Sequence, residues 1–283
     1  MTRDQQLQWE ASWARPAGIA AILSALLLLV SAMAFFPKDR KGIEANPDLL
    51  LSIDQNNGAY LTSEALSALA VLLLCVVFYY LFRAIVARGG GVPSWFVYLV
   101  FAGPALYAAS RIAGAFEAMD LAEEFVDDGI IRGQRGEDHA RDLSGAGPVL
   151  VALATAGTVA LAFLFVMLPL RARRVGLLSP FMGVLGAIAG ALIIIPLASV
   201  SSVIQAFWLG AIGLLFLGRW PGGRGPAWET GESEPWPSAA ERRGLVPPRE
   251  RKEEPAELDP SLPEPEPVPE RSASRKRRKK KKR

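Results

Sequence analysis

From Val175 to Gly218 the chain runs for 44 residues without one Asp, Glu, Lys or Arg. A soluble helix keeps a polar face with a period of about 3.6 residues, and this stretch keeps none. Each helical residue advances about 1.5 Å, so a bilayer's hydrocarbon core takes about 20 apolar residues to cross. The run therefore holds two crossings and a turn, and Ser199, Ser201 and Ser202, just after Pro196, mark that turn.

Four earlier stretches have the same character: Ala17 to Phe36, Ala65 to Phe82, Val92 to Ser110 and Val149 to Leu170. The sequence thus predicts an all-α fold, a polytopic transmembrane helix bundle of six spans over 17–218, preceded by a segment at 1–16. Ala17 to Phe36 also has the form of a secretory signal, since Arg15 precedes it and Ala32-Met33-Ala34 resembles a cleavage site. Its apolar stretch exceeds the usual 7–15 residues of such signals, which favours an uncleaved first helix.

Of 283 residues only one is Cys, Cys75 in an apolar run, and only one is His, His139. Cys/His zinc sites and Cys-His or Ser-His catalysis within the chain lack their residues. Up to Gly218 there are 14 Lys/Arg against 16 Asp/Glu, and from Arg219 there are 17 against 12. A near-neutral apolar body carries a basic tail.

Basic residues flanking spans tend to stay in the cytoplasm. With both termini inside, Arg83, Arg88, Arg171, Arg173 and Arg174 crowd very short inner connections, whereas Arg111, Arg132, Arg135 and Arg141 spread through 111–147 outside, with Lys38, Arg40 and Lys41 in the first outer loop. Six of the seven Trp then fall at the inner side, Trp208 being the exception. The basic tail decides the orientation, and the expected location is the plasma membrane with both termini cytoplasmic.

Helices in lipid associate through close packing of small residues. Gly183, Gly186 and Gly190 share a face of the fifth span, and Gly210 and Gly213 follow in the sixth. They predict a packing seam between spans five and six, with homo-oligomer formation through Gly186 and Gly190 as the lesser use. Pro104, Pro169 and Pro196 interrupt their helices, either as kinks or as the broken backbone that lines transport paths. No span carries an ionisable group at mid-depth, which argues against an ion-coupled carrier.

The acidic extracytoplasmic loop at 111–147 carries Ile112, Phe116, Met119, Val126 and Ile130 at helical spacing, so the third span is expected to continue outward as an amphipathic helix. Its carboxylates match no calcium-loop pattern and read as a solvated face. His139 reads as an exposed loop histidine, and a short helix is expected from Asp48 to Asn57-Gly58.

From Arg219 onward stand 12 of the 21 prolines, and the apolar periodicity stops, so 219–283 is expected to be a disordered Pro/Glu-rich cytoplasmic tail. It ends in nine consecutive cations: Arg275, Lys276, Arg277, Arg278, Lys279, Lys280, Lys281, Lys282 and Arg283. Anionic lipid head groups and nucleic-acid phosphates compete for that run. The membrane tether makes lipid the nearer partner, and phosphorylation of Ser272 or Ser274 would weaken the attachment.

Phe216-Leu217-Gly218-Arg219-Trp220-Pro221-Gly222-Gly223, then Pro226-Ala227-Trp228-Glu229 and Pro235-Trp236-Pro237-Ser238, resemble a stretch of uncharacterised bacterial six-span membrane proteins of unknown function. The likeness extends through Phe181-Met182-Gly183 and the Asp48-to-Arg83 region. It implies an integral membrane protein and transfers no activity, cofactor or site residue; the Pro/Glu segment and basic terminus depart from it. The expected function is that of a non-enzymatic multi-pass protein needing no cofactor, whose tail contacts anionic lipid or a partner. The alternative is a transporter or channel component for a neutral or apolar solute.

Overall fold

The computed structural model describes residues 2–35, 47–130, 133–143, 147–195, 199–221 and 223–237. The polybasic run Arg275–Arg283, the Pro/Glu segment before it, and Pro196 lie outside the described residues. Thr2 starts the first helix through a capping box: its hydroxyl accepts from the Gln5 backbone N–H, and the Gln5 side chain accepts from the Thr2 N–H. The described helices are α1 (Arg3–Ala34), α2 (Pro47–Gln55), α3 (Asn57–Ala87), α4 (Phe96–Asp127), α5 (Gly133–Leu143), α6 (Pro148–Arg174), α7 (Pro180–Ile194), α8 (Ser199–Phe216) and α9 (Pro226–Thr230), with no strand among the described residues.

Four of these, α1, α3, α4 and α6, are long and apolar enough to cross a membrane, while α7 and α8 are equally apolar but shorter. α7 has 15 residues, about 22 Å at the helical rise. α4 and α6 run through Pro104 and Pro169 without a break. The six apolar helices form a closed ring in chain order, α1 against α3, α3 against α4, α4 against α6, α6 against α7, α7 against α8, and α8 back against α1.

Neighbours run antiparallel. Ser24 Oγ donates to the Ala70 carbonyl and Ser63 Oγ to the Ser31 carbonyl across α1 and α3, hydrogen bonds that suit helices in lipid. Phe78 and Phe165 meet edge to face at 5.0 Å in the middle of the ring, and Phe165 meets Trp208 at 5.4 Å. Trp208, expected as the odd tryptophan, is the largest fully buried side chain among the described residues, its Nε1 donating to the Met182 carbonyl.

Outward, every one of the six helices exposes large apolar side chains: Ile19, Leu23 and Leu26 on α1, Leu69 on α3, Phe101 on α4, Val159 on α6, Phe181 and Ile188 on α7, Val203 and Phe207 on α8. A monomer in water rarely shows one such patch, let alone a belt around its whole girth. The helices are therefore those of a membrane-embedded protein.

The two ends differ. At one end α2 and α5 pack on the outer part of α4 around a second small core of Phe35, Leu50, Ile53, Ala122, Phe125 and Ala140. α4 does continue outward as one amphipathic helix, but its buried line is Ala115, Ala122 and Phe125, whereas Phe116 and Ile130 are exposed. Small alanines let α2 and α5 approach closely; of the expected stripe, Met119 and Val126 do pack against this core, half-buried at its flank. His139 is likewise corrected: it sits in α5, only 18% exposed, stacked on Phe125 at 5.6 Å with Nε2 3.0 Å from Asp128 Oδ2. Among the described residues this end carries twelve acids against three arginines, and the opposite end nine arginines against five acids.

Candidate functional site

At the arginine-rich end α1 and α3 extend past their apolar stretches, and there Glu10 meets Arg88. The carboxylate and guanidinium form a two-pronged pair, Nη1 to Oε1 at 2.6 Å and Nη2 to Oε2 at 2.9 Å, with side chains 3% and 0% exposed. Such fork-to-fork pairs are the strongest charge-assisted hydrogen bonds in proteins. Glu10 also accepts from Gln6 Nε2, and Tyr80 donates its hydroxyl to the Glu10 carbonyl.

The remaining donors of Arg88 reach the chain after α8. Nε and Nη2 both donate to the Ala227 carbonyl, at 3.0 and 2.7 Å, and Nη1 donates again to the Ala84 carbonyl. All five guanidinium hydrogens are occupied. A group so saturated has nothing left for a substrate, so its chemistry is that of a fastener.

What it fastens is a strap. Residues 223–237 return across this end of the bundle, with Trp228 stacked on Tyr80 at 5.5 Å and donating from Nε1 to the Leu177 carbonyl in the α6–α7 turn. Arg224 lies over Trp228 and donates to the Leu215 and Phe216 carbonyls, capping the C-terminus of α8. Gly176, with φ +78°, lets the strap backbone at Glu234 pass where a Cβ would collide with it. An exposed Arg3–Glu232 pair at 2.8 Å adds little.

The strap moves the expected tail boundary. Folded structure was expected to stop at Arg219, but Ala227 and Trp228 are buried and Trp236 packs on the core. Helical periodicity is the wrong signal for such a piece: Trp220, Trp228 and Trp236 supply large apolar area from a non-periodic chain.

The glycine stripe packs as tightly as expected, but on a different partner. A Cβ at Gly183 would lie 2.7 Å from Arg173 Cβ, and one at Gly190 would lie 2.8 Å from the Ala162 carbonyl oxygen, so both face α6. Gly186 is wedged between Pro169 of α6 and Trp208 of α8. The seam is thus chiefly between the fourth and fifth apolar helices, and it is filled from within the chain, leaving no Gly186–Gly190 face for a second copy. The α1–α8 contact has its own small-residue crossing, where Gly213 meets Ile22 and Gly18. Gly210 faces open space.

At the other end Glu64 and Arg111 pair at 2.6 Å. Among the described residues no group of three His, Cys, Asp or Glu side chains converges as a metal set. Sequence reasoning missed Glu10, Arg88, Arg224 and Trp228 as one unit. A signal existed for Glu10: it lies on the line Gln6, Glu10, Ala14, Ala17, Ala21, Ser24, the buried face of α1. The chain matches no family model, no curated protein and no solved structure.

Proposed function

We propose that the chain is a non-enzymatic multi-pass protein of a bacterial plasma membrane. In this reading it has six spans, both termini are cytoplasmic, and the sequence beyond Pro237 contacts anionic lipid or a partner. The observation that carries the proposal is the belt of exposed apolar side chains, because it includes α7 and α8. Phe181, Val184, Ile188 and Ile194 keep the outer face of α7 apolar along its length, and Val203, Phe207 and Leu214 do so for α8.

The two ends support this orientation. Arg83, Arg171, Arg173 and Arg174 stand within a turn or two of the apolar stretches at the strap end, beside exposed Trp13, Trp95 and Tyr98. That combination of cations and interfacial aromatics favours the cytoplasmic side. The interior of the ring supports a scaffold over a conduit. Phe78, Phe165 and Trp208 fill it, so a neutral-solute carrier would need a different conformation.

A reporter fused after Arg283 tests the topology: it should be active only in its cytoplasmic form, and protease access to it from outside intact cells would invert the map. For the terminal run, nine cations at about 1 kcal/mol each near an acidic leaflet predict strong, salt-sensitive attachment. A peptide of residues 238–283 should co-sediment with phosphatidylglycerol vesicles, be released by salt and ignore phosphatidylcholine. Equal binding to both vesicles would reject lipid as the partner, and leave a protein or nucleic acid to be sought.

A further inference from the structure

A pocket of about 240 Å³ opens on the outer surface between the start of α4 and the end of α6. Its lining is apolar at Trp95, Phe96, Phe163 and Met167, and its one charged side chain is Arg171, toward the end of α6. Trp95 and Phe163 are exposed, so the opening faces whatever surrounds the bundle. From Phe163 to Arg171 is eight residues of α6, about 12 Å along the axis. The site therefore grades over that distance from greasy to cationic, at the height where exposed Trp95 and Tyr98 mark the bilayer interface.

Arg171 is under-occupied for so placed a cation. Among the described residues its guanidinium makes one hydrogen bond, from Nη1 to the Gly90 carbonyl at 3.4 Å, and pairs with no carboxylate. The contrast with saturated Arg88 is direct. Helix-end complementarity does not require Arg171 to lie in the groove, because Arg173 and Arg174 occupy the same last turn of α6. Arg174, three residues on, shares the face of Arg171 and is exposed.

The volume narrows the occupant further. Pockets that enclose a whole small molecule run from about 300 to 1,000 Å³. This one is smaller and open at the side, so it suits part of a chain whose remainder stays in the bilayer. We infer that the α4–α6 groove binds an anionic glycerophospholipid of the strap-side leaflet, an acyl segment lying against Phe163 and Met167 and the phosphate on Arg171, with Arg174 favouring a head group of net negative charge. The inference rests on the membrane reading of the bundle and is independent of the terminal basic run.

The test uses the full-length protein in neutral detergent, with phosphatidylglycerol, phosphatidylcholine and inorganic phosphate as probes, read by lipid retention in native mass spectrometry and by thermal shift. The ratio of phosphatidylglycerol to phosphatidylcholine retained should be about fivefold higher in wild type than in Arg174→Gln, the factor expected from about one interfacial cation. Arg171→Gln should lower retention of both lipids, because both carry the phosphate, and Arg171→Lys should restore most of it. Met167→Trp, which fills the groove and keeps the cation, should lower retention of both lipids. All variants carry the same terminal cations, so their contribution cancels. The inference is overturned if wild type and Arg174→Gln show the same ratio, if Arg171→Gln and Met167→Trp retain lipid like wild type, or if inorganic phosphate stabilises as well as phosphatidylglycerol. Extraction of the protein by alkaline carbonate would instead defeat the membrane reading itself, with lipid preference unaffected as a separate measurement.

Discussion

Replacing Glu10 by Leu should cost about 3–5 kcal/mol of stability, the usual penalty for removing one partner of a buried ion pair. Arg88 would be left in a dry site with a positive charge and two donors that face no acceptor. Arg88→Met should cost a similar amount, because it strands the carboxylate and also releases the Ala227 carbonyl. The double variant Glu10→Leu, Arg88→Met should recover most of the loss, since an apolar pair of like volume is often as stable as a buried ion pair. Thermal unfolding in micelles measures the cycle, and the coupling between the two sites should exceed about 1 kcal/mol. Proteolysis adds a local readout: in either single variant the chain near Trp228 should be cut much faster. Additive single costs, with the strap as protected as in wild type, would mean that the pair does not hold it.

How much of this was legible from residues alone depends on the range over which each signal acts. The apolar stretches announce themselves because lipid contact requires every residue of a crossing to be uncharged, a strictly local constraint. The outward run of α4 and the helix from Pro47 were legible through short-range periodicity, but the break between α2 and α3 is the single residue Asn56, and Asn57-Gly58, expected to end the short helix, open α3 instead.

The glycine stripe was half legible. Gly183, Gly186 and Gly190 say that something comes close to one face of α7, and nothing in them says what. The connection did say it: only Val175 to Ser179 separate α6 from α7, and so short a turn makes the two helices antiparallel neighbours. The Glu10–Arg88 pair was not legible as a pair, since 78 positions separate its members. Only the oddity of a carboxylate on the small-residue face of α1 hinted that it had a buried partner.

The crossing of α4 and α6 yields the second large effect. At Gly157 an added Cβ would stand 2.5 Å from the Tyr107 backbone nitrogen, 2.7 Å from its Cα and 2.9 Å from the Leu106 carbonyl carbon. These are main-chain atoms of α4 and cannot rotate away. Even Gly157→Ala must push the two helices apart by about 1 Å to restore ordinary contact, and the loss runs along the whole interface. Packing contacts carry helix association in lipid, so the penalty should be felt in full. We expect Gly157→Ala to cost about 1–3 kcal/mol and Gly157→Val more. Gly210→Ala is the matched control. Nothing lies within 4 Å of its added methyl, so it should be neutral or stabilise by up to about 1 kcal/mol through helix propensity. At about 2–4 °C per kcal/mol the two alanine variants should separate clearly in one thermal scan. If Gly157→Ala melts with Gly210→Ala, α4 and α6 do not touch backbone to backbone, and the groove they frame beside Arg171 would lose its wall.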